Sequence, residues 1–163
     1  MSRASQPDAT TLVELLFFAY RDFVGEPDRV LARFGFGRAH HRVLHFVNRN
    51  TGLTIAALLE ILGITKQSLA RVLRDLVDGG FIEQRTGAKD RRQRRLHLTG
   101  QGKALAQELL ALQTRRVERA LGEVGPDARP GIALFLDKLI DVERPAAPNS
   151  AVPSSAHGSG VDH

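Results

Sequence analysis

The stretch from Thr54 to Leu98 constrains this chain most, because two short helical patterns abut there and a hairpin pattern follows without a linker. Thr54 carries the side-chain oxygen that satisfies free amides at a helix start. Ile55, Leu58, Leu59 and Leu62 then share one face, and Gly63 supplies the stop. Thr65 opens a second helix after a very short turn. Its apolar residues Leu69, Val72, Leu73, Leu76 and Val77 fall at i, i+3, i+4, i+7 and i+8, and the pair Gly79, Gly80 ends it. Phe81 and Ile82 begin a strand, Thr86 to Asp90 read as a polar loop, and Leu96, His97, Leu98 alternate as the returning strand. The pattern is a helix-turn-helix with a hairpin wing.

The charge of the chain points the same way. Lys and Arg number 23 against 18 Asp and Glu, a formal +5. Between Arg85 and Arg95 stand Arg85, Lys89, Arg91, Arg92, Arg94 and Arg95 against the single acid Asp90, so this segment accounts for the whole excess. A positive patch confined to the tip and return arm of a hairpin suits a polyanion. The plainer alternative, a solvated loop, is disfavoured by the helix-turn-helix that precedes it.

The flanking segments read as helices. Thr11 with Glu14 has capping-box spacing, and Leu12, Leu15, Leu16, Ala19 and Phe23 recur at helical intervals up to Gly25. Asp28, after Pro27, is placed to cap a separate short helix ending at Phe34, and another helix is expected from about Arg38 to Asn48. Thr99 caps a long helix to about Val124, and a last helix carries Ile132, Phe135, Leu136, Leu139 and Ile140 to about Glu143. Phe17, Phe18 and Tyr20 add more apolar surface than one small core buries, which calls for a second chain. The expected organisation is a disordered start at 1–8, a helical dimerisation region from 9–36 and 99–143, a DNA-binding lobe at 37–98 and a disordered tail at 144–163. The fold class is mainly α with a small β wing.

The second helix of the pair has a polar side to offer. Opposite Leu69, Val72, Leu73 and Leu76 lie Gln67, Arg71 and Arg74, with Thr65, Lys66 and Ser68 at the N-terminal end. The major groove of B-DNA admits one helix; Gln pairs with adenine and Arg with guanine through two hydrogen bonds each. A helix N-terminus and Lys66 favour a phosphate. Arg91, Arg92 and Arg94 of the wing suit the negative potential of a narrow minor groove. Arg74 has a duller reading as the ion-pair partner of Asp75 or Asp78.

Over roughly residues 9–143 the sequence resembles the MarR family of bacterial transcription regulators. ITKQSLARVLRDLVDGGFI is similar to that family's recognition helix and its exit. KDRRQRRLHLTGQGKAL is similar to its wing signature, Asp-x-Arg followed by Leu-Thr-x-x-Gly, and GRAHHRVLHFV is similar to the PetP-like branch. The resemblance implies an obligate homodimer built from the first and last two helices, binding a palindromic operator in double-stranded DNA and acting as a ligand-responsive repressor. By matching positions it makes Asp90 the residue that orients the wing arginines, Arg92 the minor-groove arginine and Arg71 the recognition-helix arginine. It also implies a small-molecule effector pocket between the helical dimer and the winged lobes.

His41, His45 and Asn48 form a stripe at i, i+4 and i+7, with His40 beside the apolar face of Val43, Leu44 and Val47. These histidines are candidates for a metal or haem iron, but zinc sites usually need four ligands and no further cluster is evident, so a hydrogen-bonded or solvent-facing role is the better reading and no cofactor is required. The absence of cysteine excludes disulfides, thiolate nucleophiles and Cys-ligated zinc. Ser68 has no adjacent His, and no paired carboxylates or nucleophile and base stand out, so an enzyme is not expected. The longest apolar run, Leu15 to Tyr20, is far shorter than a membrane span needs, which predicts a cytoplasmic protein with no membrane partner. A winged-helix module for protein or RNA remains the alternative.

Overall fold

The computed structural model describes residues 6–141. Among them the order is α1 (Ala9–Ala32), α2 (Arg38–Arg49), β1 (Leu53–Thr54), α3 (Ile55–Leu62), α4 (Lys66–Asp78), β2 (Ile82–Thr86), β3 (Arg94–Leu98), α5 (Gly100–Val124) and α6 (Arg129–Lys138), with a 3-10 turn over Pro126–Ala128. Threonines start three of the helices as their positions require. Thr54, Thr65 and Thr99 accept from the N–H groups of Ala57, Ser68 and Gly102 at 3.2, 3.1 and 3.0 Å. Gly63 closes α3 in the left-handed conformation that glycine adopts without a Cβ penalty.

The strands form one antiparallel sheet in the order β1-β3-β2. Leu96 of β3 pairs with Leu53 on one side and Gln84 on the other, so β1 widens the expected hairpin into three strands. The core joins this lobe to α1 and α5: Leu44, Leu58, Leu69, Leu76, Ile82 and Leu96 are fully buried in one cluster with Leu31 of α1 and Leu109 of α5. The Leu-Thr-x-x-Gly segment joins the wing to α5 through backbone contacts. Thr99 donates its hydroxyl to the Gly80 carbonyl at 2.6 Å and its N–H to the Phe81 carbonyl at 3.1 Å. A Cβ on Gly102 would come within 1.9 Å of that Phe81 oxygen, so only glycine lets α5 approach the strand here.

Three helix boundaries differ from the sequence reading. The start of α1 is capped by Asp8, which accepts from the N–H and the hydroxyl of Thr11 at 2.9 and 2.7 Å, rather than by Thr11. The helix does not break near Gly25 and Pro27 but continues to Ala32, with Pro27 inside it. Proline removes one helical hydrogen bond, yet Val24, Pro27 and Leu31 are the residues α1 buries, and that packing holds the helix together. Asp28 is therefore inside the C-terminal part of α1 rather than at a helix start, and it accepts from Nε and Nη2 of Arg38 at 3.1 and 3.0 Å. At the other end α6 stops at Lys138, five residues short of Glu143, which lies outside the described residues. The segments expected to lack structure, 1–8 and 144–163, fall almost wholly outside them too. No helix among the described residues is long and apolar enough to cross a membrane.

Candidate nucleic-acid interface

The packing of α4 decides which of its side chains face outward. Leu69, Val72, Leu73 and Leu76 are buried, which turns Gln67, Arg71 and Arg74 to the opposite side. All three are exposed, as are Thr65, Lys66 and Ser68 at the helix start. The Thr65 hydroxyl donates to Ser68 Oγ at 2.9 Å, so both side chains are committed in part to the cap. Arg74 is not the ion-pair partner of Asp75 or Asp78. Neither Arg71 nor Arg74 lies within ion-pair distance of an acid among the described residues, and Asp75 is turned instead toward His40.

The wing divides into an anchored base and a free tip. At the base, Arg95 donates to the Gly52 carbonyl at 3.1 Å, Arg94 donates to Gln84 Oε1 at 3.3 Å, and Arg85 is paired with Glu83. At the tip, Gly87 N–H donates to the Gln93 carbonyl at 2.9 Å and Gln93 N–H to the Asp90 carbonyl at 3.1 Å. Asp90 Oδ1 accepts from the backbone N–H of Arg92 at 2.9 Å. The aspartate thus shapes the turn through the backbone and leaves the guanidinium groups unpaired. Lys89, Arg91 and Arg92 are exposed and have no ion pair among the described residues. Arg92 and Arg94 also border a recess of about 370 Å³ against Thr54, Ile55 and Ala56 at the start of α3. The guanidinium groups of Arg92 and Arg94 bring positive charge to its border.

A recognition-type helix beside a three-stranded wing is shared with known regulators. The MarR family pattern matches residues 34–93. The HTH-type transcriptional regulator PetP of Rhodobacter capsulatus is 48% identical over 129 residues, which is 79% of this chain and 78% of that protein. The chain belongs to the MarR family of transcription regulators. Solved structures of this family share the fold. Streptococcus pneumoniae FabT in complex with DNA superposes with a TM-score of 0.71 at 19% identity, over 81% of this chain and 94% of that one. NadR in complex with 4-hydroxyphenylacetate superposes at 0.67 and 20% identity, over 88% and 100%.

The three histidines of α2 are not equivalent in this MarR-family chain. His40 Nδ1 accepts from the Gly37 N–H at 3.1 Å, its ring stacks on Phe36 at 4.7 Å, and its Nε2 lies 3.0 Å from Asp75 Oδ2. Both ring nitrogens are therefore engaged. His41 and His45 are half-buried, and burial pushes both imidazoles below the usual histidine range. His45 adds to the effect at His41 while Asp28 opposes it, and Arg49 adds to it at His45. Among the described residues no group of three His, Asp or Glu side chains is placed to hold a metal ion.

Proposed function

We propose that this chain acts as a homodimeric, sequence-selective regulator on double-stranded DNA, with α4 in the major groove and the wing tip on the adjacent backbone and minor groove. The observation that carries this reading is the state of the arginines. Among the described residues Arg71, Arg74, Arg91 and Arg92 are exposed and without an ion pair on two neighbouring elements, whereas Arg85, Arg94 and Arg95 are engaged. Gln67 and Arg71 are base-reading residues, with Arg74 beside them. Lys66, Lys89, Arg91 and Arg92 serve phosphates and groove potential. The complex of FabT with DNA supports the choice of partner.

The dimer follows from surface left uncovered. Phe17 is 70% exposed, Leu15 54% and Leu136 49%, on α1 and α6. A second copy related by a two-fold axis would cover both helices and set two copies of α4 toward one palindrome. Such a dimer represses by occupying its operator, in the cytoplasm where the DNA is. Release by a small organic ligand belongs to the same reading and is supported by the ligand complex of NadR.

Selection of bound fragments from genomic DNA, followed by titration on the selected duplex, a scrambled duplex and an RNA of equal length, tests this function. The expected outcome is a palindromic site bound roughly a thousandfold or more tighter than the scrambled duplex. Equal affinity for scrambled duplex and RNA would replace it with a non-selective or RNA-binding module.

A further inference from the structure

His40 sits on α2, outside the proposed DNA-facing surface, but it touches Asp75, the acid of α4 placed four residues after Arg71. Asp75 lies four residues after Arg71 and one after Arg74 on α4. An Arg and an Asp at i and i+4 on an exposed helix are close enough to pair, with a weak preference for doing so. Here they do not. Because His40 Nδ1 accepts from the Gly37 N–H, the ring proton is on Nε2, and Nε2–H donates to Asp75 Oδ2 at 3.0 Å. The ring itself is fixed by stacking on Phe36, with its side chain only 13% exposed. Phe36 in turn meets Phe81 edge-on at 5.1 Å, so the ring against which the imidazole stacks is itself packed on the strand entry after α4.

We infer that His40 is a positioning residue for DNA recognition: by holding the Asp75 carboxylate on the flank of α4, it keeps Arg71 free to reach a base. The inference rests on the DNA-binding reading above and adds to it a residue that does not itself meet DNA. The carboxylate ties α4 to the N-terminal end of α2, and the largely covered His40 ring rather than an arginine satisfies it.

A double-mutant cycle tests this. His40→Phe keeps the ring that stacks on Phe36 and removes both nitrogens; Asp75→Asn removes the charge that would capture Arg71. Operator affinity is measured for the parent, each single variant and the double variant, with circular dichroism melting to confirm that each is folded. Asp75→Asn by itself tightens binding somewhat, since an anion near phosphate is lost. The deciding quantity is the difference between its effect in the two backgrounds. His40→Phe should weaken operator binding roughly twofold to fivefold, an i,i+4 pair having formed in each of two recognition helices, and Asp75→Asn should recover that loss in addition to its own effect. His40→Gln, which retains a donor for Asp75, should bind close to the parent. Additive effects in the cycle, or a His40→Phe loss that Asp75→Asn leaves in place, overturn the inference while the DNA-binding reading stands. If His40→Phe does not fold, the same comparison between His40→Gln and Asp75→Asn decides it, with a Gln variant as weak as Arg71→Ala counting against. Failure of the parent to prefer its operator over scrambled duplex overturns both.

Discussion

The winged lobe and the helical ends of this chain use their apolar residues in opposite ways. In the lobe, Leu44, Leu58, Leu69, Leu76 and Leu96 are fully buried within one cluster. In the first half of α1 and throughout α6 every described residue is exposed, including Phe17, Phe18, Leu134 and Phe135. The two regions do not differ in apolar content so much as in whether one chain supplies the other wall. The lobe is a finished core; in the dimer proposed above, the helical ends would be half of one.

Changes aimed at each region should therefore fail in different ways. The largest expected effect is Gly102→Ala, which forces a Cβ against the Phe81 carbonyl at the junction of wing and α5. It should cost about 3 kcal/mol or more, read from urea unfolding. A loss under about 1 kcal/mol would mean that the junction has slack and that the lobe is less finished than it looks.

A charge placed on the helical ends should do the reverse. Phe17→Asp with Phe135→Asp should leave the lobe folded, with helical circular dichroism largely kept. It should lower the apparent mass toward one chain in sedimentation at micromolar concentration. Operator affinity should then fall about a hundredfold, because two half-sites are no longer bound together. Unchanged mass would show that these faces are not an interface, and the comparison between finished and unfinished regions would lose its explanation.

Within the lobe, α4 and the wing tip are distinguished by a smaller effect. Arg71→Ala should erode discrimination at particular base pairs by about 1 to 3 kcal/mol. Arg92→Ala should weaken operator and scrambled duplex alike and reduce the slope of affinity against salt by about 1 per site lost. Arg95→Ala should behave unlike either, loosening the wing base through the lost bond to Gly52 and changing the salt slope least.

The smallest effect concerns acid. Folding holds the imidazoles of His41 and His45 below the usual histidine range through burial, so the unfolded chain takes up protons first as pH falls. Their contribution to stability is complete above the unfolded value near 6.5 and declines as pH falls from there through the lower folded values. Thermal melts from pH 7.5 to 5 should thus show decreasing stability, and His41→Gln with His45→Gln should flatten that dependence. A slope unchanged by the double variant would assign the acid response elsewhere.

Much of this was legible in the order of residues. Thr54, Thr65 and Thr99 announce three helices because a side-chain oxygen before an apolar repeat has one common use. The outward set on α4 followed from the inward one. What escaped depends on contacts across the chain. β1 is two residues long and exists only because Leu53 and Thr54 pair with Leu96 and Arg95. Pro27 reads locally as a break, and only burial beside Val24 and Leu31 shows why α1 continues. The partner of Asp75 is 35 residues away, so local spacing pointed to Arg74 instead of His40. The wing arginines looked alike in sequence, and their division into anchored and free depends on Gly52, Gln84 and Glu83.

The central claim is that α4 reads base edges from a dimer while the wing tip holds the backbone beside it. Hydroxyl-radical and methylation-protection footprinting of the full-length protein on its selected operator tests this most directly. The account predicts guanine protection in two major grooves on one face of the duplex, with centres about one turn, roughly 34 to 36 Å, apart and flanking backbone protection that Arg92→Ala weakens. Protection confined to a single groove, or backbone protection with no guanine protected and no dependence on Arg71, would contradict it.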